Sequence, residues 1–295
     1  MSDPLARLKS RFEEIQDLDA LTGLLAWDQR TMMPQGGSSI RGRHMALLQR
    51  LAHEKLSEPE VGRLLDELGD SLDPETDDGA LVRVARRAYD KAVRVPPELS
   101  GEMARASAES APLWMEAKAK ADFSLFLPTF ERNLELRRRY IACFEPREEP
   151  YDILLDDFEP EMETAEVRRI FDEIKPALVE LVAEQRELDV DDSFLDGEFP
   201  VERQEGLSRQ ILELFGTRPN TWRVDPTEHP FSAGAGIDDI RITTHYYDDS
   251  LESLFSTMHE YGHGLYEHQV PAQLALYPTG TGASLALHES QSRLW

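Results

Sequence analysis

The sequence is short of cysteine, of long apolar runs, of linkers and of lysine, and each shortage excludes something. Cys143 is the only cysteine, which rules out an internal disulfide and any cysteine-based zinc finger. Beside Phe144 it reads as a small apolar core residue with no partner to make it a nucleophile. No apolar stretch approaches the ~18 residues that a membrane-spanning helix needs, so no membrane partner is expected. The opening Met1-Ser2-Asp3-Pro4 lacks the basic start and apolar stretch of a secretory signal, and a cytoplasmic location is expected. Neither internal repeats nor low-complexity linkers occur, which points to one continuous domain over 1–295.

Basic residues are scarce as well. Six lysines and 26 arginines face 57 acidic residues, for a net charge of -25. The field of such a chain repels phosphates and argues against nucleic acid as a partner. The acidic residues are spread along the chain, in pairs such as Asp66-Glu67, Asp156-Asp157 and Asp248-Asp249, rather than gathered in a tail. In dilute buffer this surface repels itself, whereas at molar salt the Debye length falls to about 3 Å. Adaptation to a high-salt cytoplasm is therefore expected. Apolar residues make up 40% of the chain, enough for a packed core.

Helical periodicity dominates. Leu5, Leu8, Phe12, Ile15, Leu18, Leu21 and Leu25 recur every three or four positions up to Trp27. Residues 31–37, with Pro34 and paired glycines, break that helix. Further helices are predicted over 39–56, 57–68, 75–93, 97–121, 126–144 and 163–188, with loops at 96–97, 146–150 and 189–197. Trp27, Trp114 and Trp222 read as core aromatics, and His44 and His53 as surface or structural histidines. One segment differs: residues 239–247 are β-branched and aromatic and follow the glycine-rich Ser232-Ala-Gly-Ala-Gly236. They predict a short strand whose free edge could pair with an extended peptide, or which simply covers the core.

The most informative stretch is Met258-His259-Glu260-Tyr261-Gly262-His263. Histidines four apart project from one helix face, and both imidazoles can reach one Zn²⁺ at about 2.0–2.1 Å. Glu260 is then placed to hydrogen-bond a water on the ion without ligating it. Such a site needs a third protein ligand and an open fourth position. His268, His288 and Glu289 are the candidates, the last two on a predicted helix over 285–295 that the Gly280-Thr-Gly282 turn can fold back. Glu289 is chemically attractive, because two neutral imidazoles and one carboxylate leave a positive site that acidifies water. His288 would then be a donor behind a ligand.

His259-Glu-Tyr-Gly-His263 followed by His288-Glu289-Ser290-Gln291 resembles the carboxypeptidase Taq family of metallocarboxypeptidases. Similar signatures occur in order at Leu24-Leu-Ala-Trp27-Asp28-Gln29 with Met33-Pro34, at Tyr151 to Pro160, at His229-Pro230-Phe231 and at Asp239-Ile-Arg241-Ile-Thr243. The resemblance covers essentially the whole chain. It implies a mainly α, zincin-like helical metallopeptidase with a small β element beside the active-site helix, and usually a homodimer. It implies removal of single amino acids from peptide C-termini with broad preference, sparing proline, and one Zn²⁺, or in some members Co²⁺, per chain. His259, His263 and Glu289 would be the metal ligands and Glu260 the general base, within a metal-binding region over 229–295. His229 and Arg241 would line the substrate groove, with an ion pair to Asp238 or Asp239 as the alternative role for Arg241. His245 departs from the pattern, which commonly has arginine there.

Family members are longer, and this sequence ends at Trp295 within the helix carrying Glu289, so against the resemblance a form shortened at its C-terminus is expected. The missing signatures are those that help to recognise the terminal carboxylate. Two other readings therefore stand beside the carboxypeptidase: a zinc endo- or oligopeptidase, and a non-catalytic remnant that binds metal or a partner.

Overall fold

Apolar residues spaced at three and four produce helices along most of the chain. The computed structural model describes residues 3–295 except Asp70, Asp189 and Asp196; Met1, Ser2 and part of the loop predicted at 189–197 thus lie outside the described residues. The α-helices are α1 (Pro4–Thr31), α2 (Ser38–Leu56), α3 (Pro59–Leu68), α4 (Asp77–Ala92), α5 (Pro97–Ala119), α6 (Leu127–Ile141), α7 (Tyr151–Leu155), α8 (Thr164–Arg186), α9 (Val201–Leu214), α10 (Glu252–His268) and α11 (Leu285–Leu294). Local chemistry starts several of them. Asp3 accepts from Leu5 N ahead of Pro4, and Thr76 and Ser284 accept from Gly79 N and Leu287 N. None of the described helices is long and apolar enough to cross a membrane.

One core joins Leu8, Phe12 and Ile15 of α1 to Val61, Leu64 and Leu65 of α3 and Val82 and Ala85 of α4. Burying each of the larger side chains stabilises the fold by roughly 1.5–3 kcal/mol. A second core packs Leu212 of α9 and Tyr261 of α10 against a sheet of β1 (Trp222–Pro226), β2 (Ser232–Gly236) and β3 (Asp239–Thr244) through Ile240 and Ile242. Helix α8 differs, since none of its residues is buried and Phe171, Ile174, Leu178 and Val182 are exposed.

The sheet corrects the sequence reading in two ways. Its order is β1-β3-β2, with β1 parallel and β2 antiparallel to β3. The glycine-rich lead-in is thus itself a strand, and the predicted strand lies in the middle with both edges occupied. Among the described residues the outer edges of the sheet belong to β1 and β2, each of which pairs with β3 alone. Helix α9 was also unforeseen. Gln204 and Ser208 are buried along with Ile211 and Leu212, so its inner face does not read as an apolar stripe.

Trp27 is buried, as expected, with Arg223 and Arg241 stacked on its ring at 4.7 and 4.4 Å. Its neighbour Asp28 pairs with Arg41 at 2.5 Å, and Gln29 donates to Ala108 O, so this motif ties α1 to the sheet, α2 and α5. Trp114 is not a core residue: it is 39% exposed, with Lys118 over its ring.

Candidate metal centre

Two glycines in α10 set the depth at which its neighbours dock. A Cβ on Gly262 would lie 2.6 Å from Ser292 Cα and 2.7 Å from Gln291 O, so only glycine lets α11 approach this closely. A Cβ on Gly264 would lie 2.6 Å from the Trp222 ring and 2.7 Å from Ile240, where the sheet packs. Helix α10 is therefore clasped between α11 and the sheet. Its start is braced by buried polar contacts. Ser253 Oγ donates to Gln204 of α9, Thr257 Oγ1 donates to Ser253 O at 2.7 Å, and Thr244 Oγ1 donates to the same carbonyl at 3.1 Å.

Helix α11 is held at its beginning by residues 151–160. Leu285 N donates to Phe158 O at 2.9 Å and Ala286 N donates to Glu159 Oε2 at 3.1 Å. A carboxylate there satisfies a free helix N–H and complements the helix dipole. Within the same segment Asp152 accepts from the Thr164 amide, and Asp156 is paired with Arg87 and Lys91. Although burial opposes it, those two cations and the Glu161 amide hold the Asp156 carboxyl well below the usual range.

These supports bring His259, His263 and Glu289 together, with one ligand atom from each lying within 4.8 Å of the others. Glu289 Oε2 stands 3.0 Å from His263 Nε2 and 3.7 Å from His259 Nε2. Donor atoms around a tetrahedral ion at 2.0–2.1 Å stand roughly 3.3 Å apart, so the set fits a divalent metal such as zinc. Protonation agrees with this. Burial and the rings of His288 and His259 keep His263 below the usual histidine range, hence neutral. Burial pushes Glu289 up, but the Ser292 hydroxyl and the two imidazoles more than reverse this and leave it ionised. Glu260 is 6% exposed, its Oε2 has no hydrogen-bond partner, and burial followed by the charge of Glu289 pushes its carboxyl up to about 7. A bare, buried carboxyl next to a ligand cluster suits a site completed by a cation and a water.

The cluster opens into a cleft of about 780 Å³ whose walls include Asp17 and Asp19 of α1, His229 to Phe231, and all of β2. His229 is exposed on this wall. Thr243 anchors its loop by accepting from Phe231 N at 2.8 Å and donating to Phe231 O at 2.9 Å, a role the sequence did not disclose. Arg241 is not among the residues lining the cleft. It donates to both Asp239 oxygens at 2.8 Å, the ion-pair alternative, and lies on the Trp27 ring. His268 is set apart from the cluster, bonded to Ile237 O and edge-on to Trp222. His288 faces His263 rather than the cluster, Nδ1 to Nδ1 at 2.6 Å.

The carboxypeptidase Taq (M32) metallopeptidase family matches residues 7–295. The chain is 38% identical to thermostable carboxypeptidase 1 of Thermus thermophilus over an alignment 295 positions long, gaps included, that covers 94% of this chain and 58% of that protein. The M32 carboxypeptidase of Deinococcus radiodurans R1 superposes with a TM-score of 0.85 at 33% identity, covering 99% of this chain and 59% of that one. The crystal structure of BsuCP gives 0.92 at 31% identity, covering 98% and 59%. This chain thus spans less than two thirds of the length of these relatives. With the family match running over nearly the whole sequence, the chain belongs to the carboxypeptidase Taq (M32) metallopeptidase family.

Proposed function

We propose that the chain carries the metal centre of a metallocarboxypeptidase that releases single amino acids from peptide C-termini, with broad preference and sparing of proline. The observation that supports it best is the convergence of His259, His263 and Glu289 beside the buried, unpartnered carboxyl of Glu260. Zinc, one per chain, suits two imidazoles and a carboxylate, with cobalt as the alternative. When bound, such an ion supplies a Lewis acid for water and for the peptide carbonyl.

The remaining steps belong to the protein. Glu260 as carboxylate takes a proton from the attacking water; the C–N bond then breaks, and Glu260 returns that proton to the leaving amine. His229 and the free edge of β2 offer the substrate a wall along which an extended backbone can lie. We assign Arg241 to holding β3 on Trp27 rather than to the substrate. A cytoplasmic homodimer adapted to high salt is part of the same reading.

One observation favours a second reading, an endo- or oligopeptidase. Among the described residues that line the cleft there is no lysine or arginine to bind a terminal carboxylate. The test is hydrolysis of matched peptides with free and amidated C-termini by zinc-loaded protein in high salt, beside Glu260→Gln. Release of C-terminal residues from the free peptide alone supports the carboxypeptidase. Internal cleavage of both peptides supports the second reading, and zinc uptake without any hydrolysis overturns both.

A further inference from the structure

The side chains behind His263 form a chain of hydrogen bonds that can run in only one direction if His263 holds a metal. To present a lone pair at Nε2, a neutral imidazole must carry its proton on Nδ1. That Nδ1 stands 2.6 Å from His288 Nδ1. Two bare nitrogens at this distance form no bond, and two N–H groups would collide, so a single proton lies between them. With that proton on His263, His288 Nδ1 must accept. The proton of His288 then sits on Nε2, which is 2.8 Å from Glu267 Oε1, a group that as a carboxylate can only accept. Every link has one polarity: His263 Nδ1–H to His288, and His288 Nε2–H to Glu267.

The His288 ring is held in place for this. It packs at 4.7 Å from the His263 ring and 4.9 Å from that of Tyr266. Gly282 lies where a Cβ would be 3.0 Å from its Cδ2. His288 also precedes Glu289, so one turn of α11 delivers both a candidate ligand and the acceptor that orients another. The sequence reading had His288 as a donor behind a ligand; the geometry makes it the acceptor.

We propose that His288 and Glu267 are positioning residues that fix the Nδ1–H tautomer of His263 and so set the metal affinity of the centre. The inference rests on the assignment of His259, His263 and Glu289 as ligands. Groups behind ligating histidines typically contribute about 10–100-fold in metal affinity. His288→Phe keeps the ring packing but removes the acceptor, and should weaken zinc binding by about 10–100-fold. His288→Asn puts an amide oxygen near the position of Nδ1, and should stay within a few-fold of the unmodified chain.

The experiment is a chelator competition for zinc on the full chain, at fixed pH and salt. Long-range ¹H–¹⁵N correlations of the zinc-loaded histidines accompany it, to report which His263 nitrogen carries the proton. Nδ1–H on His263, with a large loss in His288→Phe that His288→Asn restores, supports the proposal. Equal losses in both variants, unchanged affinity in His288→Phe, or a proton on His263 Nε2 overturns it. If the unmodified chain takes up no zinc, the ligand assignment itself falls. Should His288→Phe fail to fold, Glu267→Met removes the second link from a side chain that is 41% exposed; a loss of about tenfold is expected, and no loss overturns the proposal.

Discussion

Glu260→Gln in the metal-free protein isolates what the buried carboxyl costs the fold. The group is 6% exposed, its Oε2 lacks a partner, and burial together with Glu289 lifts it from 4.5 to about 7. At about 1.4 kcal/mol per pH unit, that lift corresponds to about 3 kcal/mol against the ionised form. The sign follows from proton linkage. Between 4.5 and about 7 the folded chain holds a proton that the unfolded chain has released, so stability falls as pH rises through this window and levels off above it. Glutamine keeps the shape and never ionises. Denaturant unfolding in chelator should therefore find Glu260→Gln more stable than the unmodified chain by about 2–3 kcal/mol at pH 8, with the gain shrinking towards zero near pH 4.5. Excess zinc should narrow the difference, because a cation offsets the carboxylate, while hydrolysis by the variant falls by about 10²–10⁴-fold. A gain of equal size at both pH values would assign the effect to packing, and no gain at pH 8 would refute the reasoning.

Gly262→Ala should weaken zinc binding at least tenfold by pushing α11 and Glu289 outward, and should cost about 1–3 kcal/mol of stability; chelator competition and denaturant unfolding measure the two effects. Glu159→Ala removes the acceptor for Ala286 N and should cost about 0.5–2 kcal/mol, with a several-fold weaker zinc site although Glu159 is no ligand. Melting temperature should rise between about 0.1 and 2 M potassium chloride, because screening a net charge of -25 outweighs the weakening of exposed ion pairs. A flat or falling curve would remove the high-salt reading.

The helices and the two imidazoles were legible because both obey a local period. A stripe at three and four residues makes α1 a helix whatever surrounds it, and histidines four apart share a face on any helix. What escaped the sequence is set by contacts between segments. Helix α9 was missed because Gln204 earns its burial through Phe199 O, Tyr247 O and Ser253 Oγ, partners that exist only after folding. Strand β1 was missed because Trp222-Arg-Val-Asp225 alternates over only four residues before Pro226, too short a signal alone, although pairing with β3 fixes it. Arg241 carries no signal to separate a substrate contact from its bond to Asp239 until Trp27 is known to lie under it. Glu289 could be ranked above His288 by charge, but the direction of the bond between His263 and His288 needs their separation.

The order of the motifs along the chain follows from how the centre is supported. Glu289 is supplied by α11, and α11 owes its position to two remote features, the missing side chain at Gly262 and the Phe158-Glu159 segment at its start. The latter continues from Asp156, whose carboxylate is locked by Arg87 and Lys91 of α4. Helix α4 in turn shares a core with α1, through Val82 and Ala85 against Leu8, Phe12 and Ile15. A continuous path of packing and ion pairs therefore runs from the N-terminal helices to the carboxylate of the metal cluster, whereas His259 and His263 sit on α10, which besides α11 also packs on α9 and the sheet. Loosening the α1–α4 core should thus displace Glu289 before the histidines. A destabilised variant such as Leu65→Ala, expected to lose about 2–5 kcal/mol, should then bind zinc with fewer protein ligands while α10 stays helical. X-ray absorption of the bound zinc, read against amide exchange in α10, decides the point: if Glu289 keeps its place until α10 itself unfolds, the two halves of the centre are not separately supported.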